Sequence, residues 1–305
     1  MDSISFDRDF DPAYGQAVRI GPHVRRMTAP NGGPFTFHGT NSYIVGHGTV
    51  AIIDPGPDDP GHIDALLRAV QGETVSHIIV THTHRDHSMG AARLAALTGA
   101  PRYGEGPHRA ARPLSIDEQT MLDASGDMDF VPDHALADGE RITGRGWTLT
   151  AIATPGHAAN HMAFALDEAP ILFSGDHVMG WSTTIVAPPD GAMADYMASL
   201  ERLAARPETI YLPGHGGPIA DAPAFVRALR AHRRLREAAI VERISRGDRR
   251  IADIVAVIYR ETPKVLHGAA ALAVLGHLED LVARGRISAP GGLGLEAIYE
   301  PVETD

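Results

Sequence analysis

From about residue 18 to 54, apolar residues alternate or run in short blocks (Ala17 to Ile20, Tyr43 to Val45, Val50 to Ile53) broken by Gly and Pro. This is the pattern of β-strands joined by tight turns. Residues 60–70 (PGHIDALLRAV) place apolar side chains at helical spacing, 76–80 (SHIIV) form a short buried-strand run, and 88–98 (SMGAARLAALT) are helical again. Strand-like blocks return at 127–152 and 161–174, followed by a helix near 192–205 and a short strand at 209–212. After Pro223 the character changes. Residues 224–246, 249–260 and 268–284 read as three amphipathic helices, and RISAPGGLGLEAIYEP after them reads as a small hairpin or wing. The pattern predicts two domains, 1–220 and 221–305, the second a winged-helix-like unit.

The 305 residues, 44% hydrophobic and 21% charged, have the composition of a globular protein rather than a disordered one. No run approaches 18 apolar residues, and the opening MDSISFDRDFDPAYG lacks a basic leader and an apolar stretch, so the expectation is a soluble cytoplasmic protein with no membrane partner. The net charge is −11, yet residues 225–264 hold 11 basic against 5 acidic side chains, a local +6. All but one of the 27 basic residues are Arg, which a GC-rich coding sequence also favours. Zero Cys excludes disulfides, thiolate metal sites and cysteine nucleophiles, so any metal must be held by imidazole and carboxylate. Histidine is the enriched residue, at 17 of 305.

Several of these histidines are concentrated. The SHIIV strand runs into Thr81-His82-Thr83-His84-Arg85-Asp86-His87, three imidazoles and a carboxylate within six positions. In extended backbone, side chains two apart point the same way, so His82, His84 and Asp86 can converge while His87 swings in as the chain turns into the next helix. Three more donors follow turn residues at apparent strand ends: His157 in TPGH, Asp176 in SGD and His215 in LPGH. Five His and two Asp without thiolate suit a pair of Zn²⁺ ions, and less strongly Fe or Mn.

The order HxHxDH, PGH, GD and PGHG resembles the metallo-β-lactamase superfamily over residues 18–220, and GTNSYIVG, IIDPGP, TPGHAANHM and FSGDHVMGWSTT with the basic helical tail are most similar to its lactamase-β-like group with a C-terminal winged helix. The resemblance implies an α/β (α+β) fold, an αβ/βα sandwich of two face-to-face sheets with helices outside. It implies that His82, His84 and His157 bind one metal, that Asp86, His87 and His215 bind a second, and that Asp176 bridges them. Asp86 and Asp176 would also be catalytic, Asp176 by keeping the two ions in register and Asp86 by orienting a hydroxide shared by them, whose pKa such a pair lowers towards 7. One departure is Ala158, where many relatives carry a Thr or Ser after PGH.

For the remaining residues the bland readings compete. His177 and, less so, His161 are candidates for a pocket role beside the motifs; Asn41, Ser42, Thr183 and Thr184 are candidates for neutral groups lining the mouth, although turn chemistry explains them equally well. A β-lactamase needs a cation for the substrate carboxylate, and the single Lys, Lys264, lies in the tail. The substrates left are a phosphodiester such as single-stranded RNA, gripped by the basic tail, or a small ester or thioester, as in glyoxalase II-like or acyl-carrier thioesterases. A non-enzymatic winged-helix nucleic-acid binder with a structural metal is the reading from another class. A homodimer is conceivable through an apolar face of a tail helix.

Overall fold

The computed structural model describes residues 4–114 and 125–302. One sheet has seven strands in sequence order: β1 (Val18–Gly21), β2 (Val24–Thr28), β3 (Asn41–His47), β4 (Thr49–Ile53), β5 (Thr74–Ile79), β6 (Arg102–Gly104) and β7 (His134–Ala135). The meander β1 to β4 is antiparallel, and β4 to β7 are parallel. The second sheet, with strands in reverse order, holds β8 (Arg141–Gly144), β9 (Trp147–Ala153), β10 (Met162–Leu166), β11 (Ile171–Gly175), β12 (Ile210–Pro213) and β13 (Ile219–Ala220). Only β11 and β12 are parallel in it.

The two-residue period of a strand explains the layers. Tyr43 and Val45 of β3, Ala51 and Ile53 of β4, and Trp147 and Leu149 of β9 meet between the sheets. Their neighbours Ile44, Val50 and Ile52 point outward against α1 (Pro60–Ala69) and α3 (Gly90–Thr98), which follows a short α2 (Arg85–Ser88). On the other side, Ala163, Ala165 and Leu172 pack on α4 (Met193–Ala204). The result is the expected mixed α/β sandwich with helices on both outer faces.

The C-terminal unit comprises α5 (Ala222–Ser245), α6 (Ile251–Ile258), α7 (His267–Ala283) and the pair β14 (Ile287–Ser288) and β15 (Glu300–Pro301), the winged-helix arrangement that was expected. Helix α5 belongs to two cores: Ala222, Val226 and Leu229 pack with the second sheet, whereas Ile240 and Ile244 pack with α6, α7 and Tyr299. Residues Lys264–Ala283, which include α7, are long and apolar enough to cross a membrane by length and composition, with mean hydropathy 1.4. Here Val274, Leu278 and Leu281 of that helix lie in the C-terminal core.

Candidate metal centre

The parallel strands bring their C-terminal ends to one edge of the sandwich. There β4 is followed by Asp54, β5 by residues 81–87, β11 by Asp176 and β12 by residues 214–216, and the β9–β10 connection carries His157. Hydrogen bonds across the edge lock these segments: Met162 N–H donates to Thr81 O at 2.7 Å and Asn41 N–H to Gly214 O at 2.7 Å.

All seven predicted donors converge here. The ligand atoms of His82, His84 and His157 lie within 4.8 Å of one another, as do those of His82, His87 and Asp176, and those of Asp86, His87 and His215. Asp176 sits between the groups: its Oδ1 is 3.4 Å from His87 Nε2, and its Oδ2 is 3.2 Å from His215 Nε2 and 3.8 Å from His157 Nε2. Asp86 Oδ2 reaches His215 Nε2 at 3.2 Å. Gly214 makes this crowding feasible, because a Cβ there would stand 2.4 Å from Asp176 Oδ1 and 2.6 Å from His87 Cε1.

Each imidazole is held from behind. His82 Nδ1 meets Thr81 Oγ1 at 3.0 Å, His157 Nδ1 meets Ile185 O at 2.7 Å, and His215 Nδ1 meets Gly39 O at 3.1 Å. His87 Nδ1 lies 2.9 Å from Asp54 Oδ2, and Asp54, in the left-handed region at φ 49°, also accepts from the Thr81 N–H and hydroxyl. His84 is turned the other way: its Nε2 lies 2.5 Å from Asp190 Oδ2, leaving Nδ1 to face His82 and His157 at 3.0 Å. A partner on the outer nitrogen fixes ring orientation and tautomer, the usual support of a metal-ligating histidine.

The donor set fits metal. His87 Nε2 and Asp176 Oδ1 are buried and make no hydrogen bond, an arrangement that costs free energy unless a cation occupies the gap. Burial holds His157 down to about 4, and burial with the neighbouring imidazoles holds His82 well below 6.5, so both rings are neutral donors. On the other side, burial opposes charge on His215, yet Asp176 and Asp86 raise it to about 10, and His87 rises for the same reason. These two carboxylates call for positive charge at that point.

Sequence reasoning missed Asp54 and Asp190 as supports. Of the four candidates for the mouth, Asn41, Ser42 and Thr184 are buried and Thr183 is half-buried. Asn41 and Ser42 are fully buried: Asn41 Nδ2 donates to Pro213 O at 3.1 Å and Gly216 O at 2.8 Å, bracing the His215 loop, and Ser42 Oγ pairs with His62 Nε2 at 2.8 Å. Thr184 is likewise buried, donating to Asp176 O at 2.6 Å. Asn41 and Ser42 open strand β3, and packed against the His215 loop and α1 they have no surface to offer solvent. His177 is buried with no hydrogen bond on either ring nitrogen, whereas His161 bridges Thr154 Oγ1 at 2.8 Å and the Asp176 N–H at 3.2 Å. Ala158 is also fully buried, and Thr154 and Asn160 supply the polar braces of that loop, Asn160 donating to Thr83 Oγ1 at 2.7 Å.

A cavity of about 530 Å³ opens over the donors. Its walls carry Phe35, Met179, Ile185, Ala187, Pro188 and Pro189, together with Ala269 and Leu272 from the C-terminal unit.

Residues 35–215 match the family described as the metallo-beta-lactamase superfamily, and residues 251–293 match the beta-lactamase associated winged helix domain. The chain belongs to the metallo-beta-lactamase superfamily. It is 30% identical to a beta-lactamase-like protein 2 homolog of Drosophila melanogaster, across 93% of this chain and 96% of that protein. It is also 30% identical to an atrochrysone carboxyl ACP thioesterase of Claviceps purpurea, across 86% of this chain and 80% of that one. A beta-lactamase domain protein from Burkholderia ambifaria shares the fold, with TM-score 0.79 at 23% identity over 96% of each chain. The protein is a metallo-beta-lactamase-fold hydrolase with a C-terminal winged helix.

Proposed function

We propose that the protein hydrolyses a thioester of a small carrier-linked acyl group, using two metal ions, with zinc the expected metal. His82, His84 and His157 would hold one ion, Asp86, His87 and His215 the other, and Asp176 both. Such a pair supplies Lewis-acid polarisation of the carbonyl and a water of lowered pKa. The chain's own residues do the rest. Asp86, which lines the cavity and has 27% of its side chain exposed, would orient the attacking water as well as hold metal. Asp190 and Asp54 keep the His84 and His87 rings aimed. Apolar walls exclude bulk water from the reacting carbonyl.

The observation that carries this reading is the lining. Among the described residues it is mostly apolar besides the metal donors, and the cation among them, Arg85, donates through Nε to Gly126 O at 2.9 Å. An acyl group fits such walls, whereas a polyanionic backbone needs several cations. The basic tail offers fewer than its count suggests, because Arg230, Arg243, Arg246 and Arg260 each meet a carboxylate and Arg233 is buried. A thiolate leaves readily near neutral pH, which suits a cavity whose histidines, His84, His157 and His215, would all serve as metal donors. The thioesterase among the relatives supports the same class.

The test is thiol release from acyl-pantetheine and acyl-coenzyme A by the zinc-loaded protein, with Asp176→Asn purified in parallel and end-labelled single-stranded RNA as the competing substrate. The expected result is thioester turnover that falls by about a hundredfold or more in the variant, with RNA intact. RNA cleavage by the wild type without thioester turnover overturns the reading.

A further inference from the structure

Helix α7 is apolar on more than one side. Ala270, Val274, Leu278 and Leu281 face the core of the C-terminal unit. Ala269, Leu272, Gly276 and Glu279 follow one another at spacings of three and four, so they share a second face. That face lies on the catalytic body. Gly276 is so close to the 184–191 loop that a Cβ would stand 2.9 Å from Val186 O and 3.5 Å from Pro188 Cδ. Glu279 receives both arms of Arg112, at 2.6 and 3.0 Å. With the far end of the helix fixed by these contacts, the half-buried Ala269 and Leu272 form part of the cavity wall over the metal donors. Two apolar faces, one on each neighbour, account for the high hydropathy of Lys264–Ala283, although Val265 at its start stays exposed.

We propose that Ala269 and Leu272 are specificity-determining residues that limit the length of the acyl group, and that the winged-helix unit acts here as a wall of the acyl pocket rather than as a nucleic-acid reader. This rests on the thioesterase reading. The occupant is the acyl chain itself: the cavity size lies in the range of small-ligand sites, and the wall from α7 is continuous with the metal donors at which the carbonyl would sit. Replacing a small wall residue by a large one removes room only for the longer chains, and trimming a large one adds room only for them.

The experiment compares kcat/KM for acetyl-, hexanoyl- and decanoyl-pantetheine in the full-length wild type, Ala269→Leu and Leu272→Ala, each shown to be folded by circular dichroism. Binding of the matching alkyl thioethers, which cannot be hydrolysed, is measured by calorimetry in an Asp176→Asn background. Ala269→Leu is expected to lower the decanoyl-to-acetyl ratio about tenfold or more, and Leu272→Ala to raise it, with thioether affinities moving the same way. Either folded variant decides the question. A ratio that stays within twofold of wild type in an active variant overturns the proposal while leaving the thioesterase reading intact. A wild type that releases no thiol from any of the three overturns both.

Discussion

At the scale of single residues, an imidazole becomes a usable metal donor once its second nitrogen has a partner, and Asp190 is the partner whose loss tests this best. Its carboxylate is nearly buried, lies 2.5 Å from His84 Nε2 and touches none of the other metal donors as closely. Asp190→Asn keeps the volume but removes the charge, so His84 loses the anionic acceptor that makes its Nδ1 a strong donor. Affinity for the first metal equivalent is expected to weaken by about 10–100-fold, read by competition with a fluorescent chelator, with the second equivalent much less affected. Equal weakening at both sites would contradict the assignment of His84 to one ion. The seven donors were legible because they cluster in short motifs at strand ends. Asp190 was not, since it lies 106 residues from the ring it orients, and Asp54, although it stands in IIDPGP, lies 33 residues from its ring, so the motif does not show which side chain it meets. A second residue-scale prediction concerns His277, which is buried in α7, has no hydrogen bond on either nitrogen, and is held down to about 3 by burial and by Arg233 and Arg236. The unfolded chain binds a proton at this ring near 6.5 and the folded one does not, so its contribution is present above that pH and is lost as pH falls towards 3. His277→Leu is expected to narrow the loss of stability between pH 7 and pH 5, seen by urea unfolding of both proteins at each pH. An unchanged difference would place the acid sensitivity elsewhere.

At the scale of elements, the informative segment is the 184–191 loop, whose contacts run in two directions. Inward, Ile185 O orients His157 and Asp190 orients His84. Outward, Thr184 O accepts from the buried Arg233 of α5, and Pro189 O accepts from the Ala111 N–H at 2.8 Å. Arg233 also lies over the Tyr196 ring, 5.1 Å from its centroid. Arg233→Met keeps the apolar stem but strands the Thr184 carbonyl, which is expected to cost about 1–3 kcal/mol of stability and to weaken metal binding through His157 and His84. Arg230→Met, one turn earlier, is the control. Its partner Glu201 is 67% exposed, so that change is expected to stay within about 0.5 kcal/mol. Equal effects of the two substitutions, in urea midpoints and in metal affinity, would count against the loop as a link between α5 and the donors. Helical spacing in the sequence sufficed to reveal α5 and α7 as helices. It could not show that α5 serves two cores and that α7 serves one core and the cavity wall, because periodicity reports which side chains avoid water and not which neighbour covers them.

At the scale of the whole molecule, the change of character after Pro223 in the sequence predicts a catalytic domain that ends at residue 220, which taken alone would make residues 1–220 a self-sufficient body. The packing leads to the opposite expectation. Val226 and Leu229 are fully buried in the same cluster as Leu172, Tyr196 and Leu200, so removing α5 uncovers part of the core that the second sheet shares with α4. Two such side chains are worth about 3–6 kcal/mol together, a large share of the roughly 5–15 kcal/mol that holds an ordinary domain folded. The same cut removes the Arg233 donor from Thr184 O, the Glu279 partner of Arg112 and the α7 wall of the cavity. A chain ending at Ala220 is therefore expected to lose its cooperative thermal transition or show it at least about 10 °C lower, and to turn over no thioester. A chain ending at Ala231 would retain Val226 and Leu229 while still lacking the wall. It is expected to recover much of the stability and little of the activity on longer acyl groups, which separates the packing role of the first part of α5 from the pocket role of α7. Full stability and full turnover in the shorter chain would mean that the C-terminal unit is a detachable appendage, and that neither the shared core nor the pocket wall matters to the body.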